Sequence, residues 1–229
     1  MAASPAPLAA LASSDSPPVR RRLSSQDRRS QLIAQAIKLF SQRGFSGTRT
    51  KDIAAACGVS EGILFRHFAT KEDLYHAILE SHADEAGSKE WMREMKRCAA
   101  ARNDQELIRS LVTHILRSFE ENAAFHRLML YAWLEGHSLA ALAHQQLGMP
   151  TFEFLRRYVT QRQREGAFRA GDAGAMVVGL YAPALQHGLN KHVFGMDVGP
   201  TDPETVLEEF VRLAFASLRA PVRNSSRKK

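Results

Sequence analysis

The chain has 229 residues, 45% hydrophobic and 24% charged, which suits one or two modest globular domains with a real core. No apolar run approaches the roughly 18–20 residues that a membrane-spanning helix needs. The two cysteines, Cys57 and Cys98, offer neither a disulfide framework nor a metal-ligand spacing, so a reducing cytosol is expected. The net charge of +7 is unevenly spread: from Arg20 to Lys71, 11 Lys/Arg stand against three acids, whereas from Glu72 to Val222 there are 16 bases and 20 acids. Positive charge is therefore gathered where a polyanion would be gripped.

Residues 1–23, rich in Ala, Pro and Ser, show no sustained period and are expected to be disordered. The Leu8–Ala12 patch is short and follows no basic residue, so a secretory signal is not expected. Arg20, Arg21 and Arg22 fit solvated charge first, and second a basic arm that reaches a minor groove. The first helix should run from about Gln26 to Arg43, with Ser24 and Asp27 as a capping pair and Gly44 as its stop. Ile33, Ala36, Ile37 and Phe40 form its i, i+3, i+4, i+7 stripe.

Thr48–Lys71 then spells two short helices joined by a tight turn. Ile53, Ala54 and Cys57 share one face of the first, and Ala54 is small enough for a second helix to cross closely. Gly58 stands where a helix end wants a left-handed residue, and Ser60 is an N-cap candidate. From Glu61 to Phe68, Leu64 and Phe68 point to the core and Glu61, Arg66 and His67 face away. This is a helix-turn-helix layout, whose second helix enters the major groove. Thr70 caps the following helix, with Glu72 and Asp73 in its first turn and Leu74, Ile78 and Tyr75 turned back to the core.

The run GFSGTRTKDIAAACGVSEGILFRHFATKEDLYHAIL resembles the N-terminal domain of the tetracycline-repressor (TetR/AcrR) family of bacterial transcriptional regulators. The likeness rests on a first helix ending in phenylalanine, a threonine ahead of Ile53-Ala54, and the turn Gly58-Val59-Ser60. Phe65-Arg66-His67-Phe68 and the Lys71-Glu72-x-Leu74 opening extend it. The resemblance implies an all-α fold of about nine helices: a three-helix DNA-binding domain at 24–87 and a ligand-binding and dimerisation domain at 88–220, with a basic disordered tail at 221–229. Residue by residue, it puts Thr50 and Lys51 on phosphate, together with the amides at the start of their helix. It puts Glu61, Gly62, Ile63 and Phe65 on base edges or sugars, and His67 and Lys71 on backbone phosphate. Arg49, Ser60 and Arg66 complete the candidate DNA-binding set. Many relatives carry tyrosine where this chain has Phe65, which cannot bond a phosphate through a hydroxyl, and Glu61 suits DNA only if it accepts from a cytosine amino group. His67 also fits a core-edge histidine, and Cys57 fits small core filler better than a redox switch.

Beyond Gly87, residues 89–101 have a poor helical pattern, and a better helix opens near Asn103-Asp104 and runs to about Glu121. Phe125, Leu128, Met129, Ala132 and Trp133 form one stripe of the next helix, with Leu130 and Leu134 on its other side, so it is expected to be buried all round. A helix should start at Pro150 and end near Gly166. The last two, from Gly174 to about Phe194 and from Asp202 onward, carry wide apolar stripes with no covering element left in the chain. In the family such a pair forms a four-helix dimer interface, and the plainer alternative is that they complete the monomer's own core.

Trp91, Phe119, Phe125, Met129, Trp133, Phe152, Tyr158 and Tyr181 could line an effector pocket or simply fill the core. Six histidines past residue 110 follow no metal-binding spacing, so no metal and no cofactor are expected. Neither a G-x-S-x-G elbow nor a phosphate loop points to catalysis. The expected protein is a cytoplasmic, nucleoid-associated homodimer on a pseudo-palindromic operator in double-stranded DNA. It is not an enzyme, has no membrane partner, and is a repressor released by an unidentified small molecule. The alternatives are a helical scaffold protein or an enzyme that uses the C-terminal pocket.

Overall fold

Capping chemistry sets where the helices begin. The computed structural model describes residues 23–85, 87–199 and 202–219, so the Arg20–Arg22 arm and the basic tail lie outside the described residues. The Asp27 amide donates to the Ser24 hydroxyl at 3.1 Å, and that hydroxyl donates to the Asp27 carboxylate at 2.7 Å, which starts α1 (Ser25–Arg43). Gly44, at φ 70°, ends it with its N–H on the Phe40 carbonyl. α2 (Thr50–Ala56) and α3 (Glu61–His67) are joined through Gly58 at φ 65°, and the Val59 amide bonds the Ala54 carbonyl at 3.0 Å. Thr70 and Asp73 exchange amide-to-side-chain bonds of 2.9 and 3.0 Å and so launch α4 (Lys71–Glu85).

The second half is also helical. α5 (Ser88–Ala100) is better formed than its letters suggested, with Trp91, Met95, Cys98 and Ala99 recurring on one side and Met95 fully buried. Asn103 caps α6 (Asp104–Glu121) by accepting the Glu106 amide at 3.2 Å. α7 (Ala123–Leu134) departs from its expected burial. Phe125, Leu128 and Ala132 are inside, but Trp133 is 56% and Leu134 85% exposed, because α7 packs on α1 from one side and ends in the turn leading to α8 (Ser138–Ala143).

The helix expected to start at Pro150 is α9 (Met149–Arg164), with the proline in its first turn, and α8 leads into it without a break through a π turn, His144–Gly148. Proline lacks an N–H and its ring crowds the carbonyl one turn back, and the widened π turn just before Pro150 absorbs both defects without ending the rod. Asp172 caps α10 (Ala173–Gly188), which continues through a second π turn, Leu189–Val193, and Asp202 caps α11 (Pro203–Leu218). Among the described residues the only β pairing is an isolated bridge between Phe168 and Arg219.

Buried side chains fall into two clusters. The first joins α1–α4 to α7 and α8 through Phe40, Leu64, Tyr75, Leu128 and Leu139, so the DNA-facing helices share a core with elements from beyond residue 88. The second joins α5, α6, α9, α10 and α11 through Met95, Leu111, Val159, Val177 and Val211. Arg162 of α9 and Asp104 of α6 pair at 2.7 Å with only 14% and 13% side-chain exposure, and Tyr158 donates to the same carboxylate at 2.5 Å. Removing one partner of so enclosed a pair costs about 3–5 kcal/mol.

Candidate nucleic-acid interface

α3 is held by its inner side alone. Leu64 is fully buried and Phe68, just after the helix, is 3% exposed. Truncating Leu64 to alanine would cost about 2–5 kcal/mol and unseat the helix. The outer side carries Glu61, Gly62, Phe65 and Arg66, all exposed, with Ile63 and His67 half-buried at its margins. Gly62 meets only the Ser60 hydroxyl, 3.9 Å from where a Cβ would stand, so the backbone is open to close approach. Ser60 occupies the N-cap position in extended conformation, but its hydroxyl makes no bond to the helix and remains available outside it.

At the start of α2, Arg49 sits at the N-cap without a side-chain capping bond, and Thr50 and Lys51 follow it. Arg49, Lys51 and Arg66 are exposed and form no ion pair among the described residues, which leaves three cations of the helix-turn-helix open to an outside anion. The Thr50 hydroxyl donates to the Glu61 carboxylate, tying the first residue of α2 to the first residue of α3. That bond gives Glu61 a role that needs no base contact. Arg29 lies over the Phe68 ring at 4.8 Å and Arg28 donates to the Cys57 carbonyl at 3.4 Å, so α1 braces the motif at its turn and at the end of α3. Cys57 is buried against α1, and burial pushes its thiol pKa up, as inert core filler requires.

Lys71 is used differently from its expected place on phosphate. Its ammonium donates to the Phe45 carbonyl and lies 4.0 Å above the Phe45 ring, and burial lowers its pKa. The side chain clamps the α1–α2 turn instead of extending outward. The sequence also gave no sign of Glu135 and His137, which reach that turn from 90 residues away. No local pattern could signal them, because the contact exists only once α7 has packed on α1.

The eight aromatic and Met residues expected around an effector are split between places in the fold. Phe125 and Met129 belong to the first core cluster and Trp91, Phe152, Tyr158 and Tyr181 to the second. Phe119 stacks on His126 at 3.8 Å and fills the space beside Gly188, while Trp133 stands at the surface. Two open grooves lie elsewhere among the described residues, one of about 400 Å³ beside Val211 and Phe215 and one of about 510 Å³ along Arg156, Arg157 and Arg164.

Residues 32–78 match the family described as bacterial regulatory proteins, tetR family. The HTH-type transcriptional activator FasR of Mycolicibacterium smegmatis is 29% identical over 198 residues, 86% of this chain and 85% of FasR. The HTH-type transcriptional repressor KstR2 of Rhodococcus jostii is 33% identical over 110 residues, 48% of this chain and 50% of KstR2. The crystal structure of AibR in complex with isovaleryl coenzyme A and operator DNA has the same fold, with a TM-score of 0.65 at 21% identity over 82% of this chain and 98% of AibR. These relatives are regulators, not enzymes. The family match begins inside α1 and ends inside α4, so it takes in the whole of α2 and α3, and likeness to FasR covers most of the chain. Residues 32–78 form a domain of the tetR family of bacterial regulatory proteins, and the chain, similar to FasR over most of its length, is a DNA-binding transcriptional regulator.

Proposed function

We propose that the chain acts as a homodimer that presents two copies of α3 to successive major-groove segments of a pseudo-palindromic operator and represses transcription by occupying it. The observation that carries this reading is the exposed side of α3 beside three cations, Arg49, Lys51 and Arg66, that form no ion pair among the described residues. Thr50, Lys51, Arg49 and His67 would hold phosphate, while Ser60, Glu61, Gly62, Ile63, Phe65 and Arg66 would face bases and sugars. Lys71 would act mainly from within, by fixing the turn that carries α2. Residues 24–87 form the DNA-binding unit of this reading and 88–220 the effector and dimer unit.

Dimerisation runs through α10 and α11, where Val178, Leu185 and Leu213 are 45%, 40% and 55% exposed. A small molecule bound within the second unit would shift the dimer away from the separation that fits DNA. AibR binds isovaleryl coenzyme A, which makes acyl-coenzyme A thioesters the first class to screen. KstR2 is a repressor and FasR an activator, so the sign of control follows from where the operator lies relative to the promoter. The site of action is the bacterial cytoplasm, on the nucleoid. Footprinting of the full chain on its gene's own upstream region tests the reading. Two protected half-sites about 34–36 Å apart are expected, and unprotected DNA at low salt would overturn it.

A further inference from the structure

Beside the shared core, the turn between α7 and α8 meets the helix-turn-helix frame through polar contacts at the end of α1. Glu135 accepts the Phe45 amide at 3.1 Å, and a Cβ on Gly44 would collide with the same carboxylate. Gly44 is favoured by its φ of 70°, and a Cβ there would displace the Glu135 carboxylate. Phe45 is enclosed from three directions: His137 at 4.4 Å, Tyr75 of α4 at 4.9 Å and Phe40 of α1 at 5.8 Å between ring centres. Lys71 bonds its carbonyl, and Tyr131 reaches the Gln42 carbonyl at 3.4 Å.

From this turn the contacts continue without a gap. The Thr48 hydroxyl, 1% exposed, donates to the Gly44 carbonyl at 2.8 Å, and Thr50 two residues on opens α2 and bonds Glu61 at the head of α3. Glu135 is thus linked through Phe45, Gly44, Thr48 and Thr50 to the recognition helix. An exposed neutral-donor hydrogen bond contributes only modestly to stability. What this one can set is the position of the α1–α2 turn relative to α7.

We propose that Glu135 is a positioning residue that holds the recognition helix at the half-site spacing dictated by the effector-binding region. This rests on the dimeric operator-binding reading above. A shift of the α7–α8 turn carries the α1–α2 turn with it, and any ligand that prefers one position of that turn changes the population of DNA-competent dimers. Loss of the Glu135 bond leaves each DNA-binding unit freer, so the dimer loses its preference among half-site spacings without losing a phosphate contact.

The test uses the full chain as wild type, Glu135→Ala, Glu135→Gln and Gly44→Ala, on the footprinted operator and on the same duplex with one base pair inserted between half-sites. Glu135→Ala and Gly44→Ala should bind the native duplex about tenfold more weakly, with an unchanged salt slope and a reduced preference over the inserted duplex. Glu135→Gln keeps a carbonyl acceptor and should restore both. Amide exchange at Phe45 should accelerate in Glu135→Ala alone of the two Glu135 variants. Faster exchange at Phe45 with native affinity and native spacing preference would overturn the proposal by itself. A wild-type chain that leaves no footprint would overturn the regulatory reading and this proposal with it.

Discussion

The recognition helix α3 and the paired helices α10 and α11 each leave one side uncovered, and the chemistry of the two uncovered sides is opposite. On α3 that side holds Glu61, Gly62, Phe65 and Arg66, with cations Arg49 and Lys51 beside it. On α10 and α11 it holds Val178, Leu185 and Leu213. A seven-residue helix anchored by one buried leucine can keep a polar side in water and meet a polyanion there. A pair of long helices with apolar residues facing outward gains only when a second apolar surface covers them. In the proposed reading DNA covers the one and a second copy of the chain the other.

The most severe way to break this division is to place a charge in the apolar side. Leu213→Asp should leave the protein monomeric in sedimentation and lower operator affinity about a thousandfold, because two half-sites would no longer be engaged together. Full operator affinity in a demonstrably monomeric Leu213→Asp protein would remove α11 from the interface.

A smaller effect separates the two regions by titration. His114 stacks on Trp91 at 3.8 Å and His126 bonds the Ser118 hydroxyl at 2.9 Å, and burial pulls the pKa of each down to about 4. Both are neutral in the folded chain and protonate more readily once unfolded, so their contribution is complete above about pH 6.5 and is lost as pH falls toward 4. Between pH 7 and 5 each should cost about 2 kcal/mol of stability. Urea unfolding at the two pH values measures this, and His114→Gln should flatten the dependence. Equal stability at pH 7 and 5 would refute it. On the DNA side, Lys51→Ala should weaken binding to all sequences about five- to tenfold and reduce the salt slope by about one. An unchanged slope across a salt titration would take Lys51 off the phosphate.

What the sequence made legible was local. Ser24 with Asp27, Gly44, Gly58 and the Thr70 cap each act within four residues, and each does in the structure what its chemistry requires. Three other features, two of them set by distant partners, could not be foreseen. α7 is apolar on both sides yet exposes Leu134, because nothing in its own residues says which neighbour arrives. Pro150 looked like a helix start, but α8 supplies a turn before it that can widen. Lys71 matches a phosphate-binding position and turns inward, since Phe45 offers it a carbonyl and a ring at once.

The smallest predicted effect concerns the seam between the two regions. Tyr75 is fully buried among Phe40, Phe45 and His137, and among the described residues its hydroxyl has no hydrogen-bond partner. Burial of the phenol and the nearby Glu135 carboxylate both push its pKa up, so the hydroxyl stays neutral. A buried, unpaired hydroxyl costs desolvation without returning a bond. Tyr75→Phe keeps the ring contacts and removes that cost, so it should leave stability unchanged or raise it by up to about 1 kcal/mol. Thermal unfolding of the full chain measures the difference. A loss of more than about 1 kcal/mol would mean that the hydroxyl has a bonding role at the seam. Unchanged stability with altered operator affinity would mean that the phenol contributes to the position of Phe45, and hence to the hold that the second region has on α3.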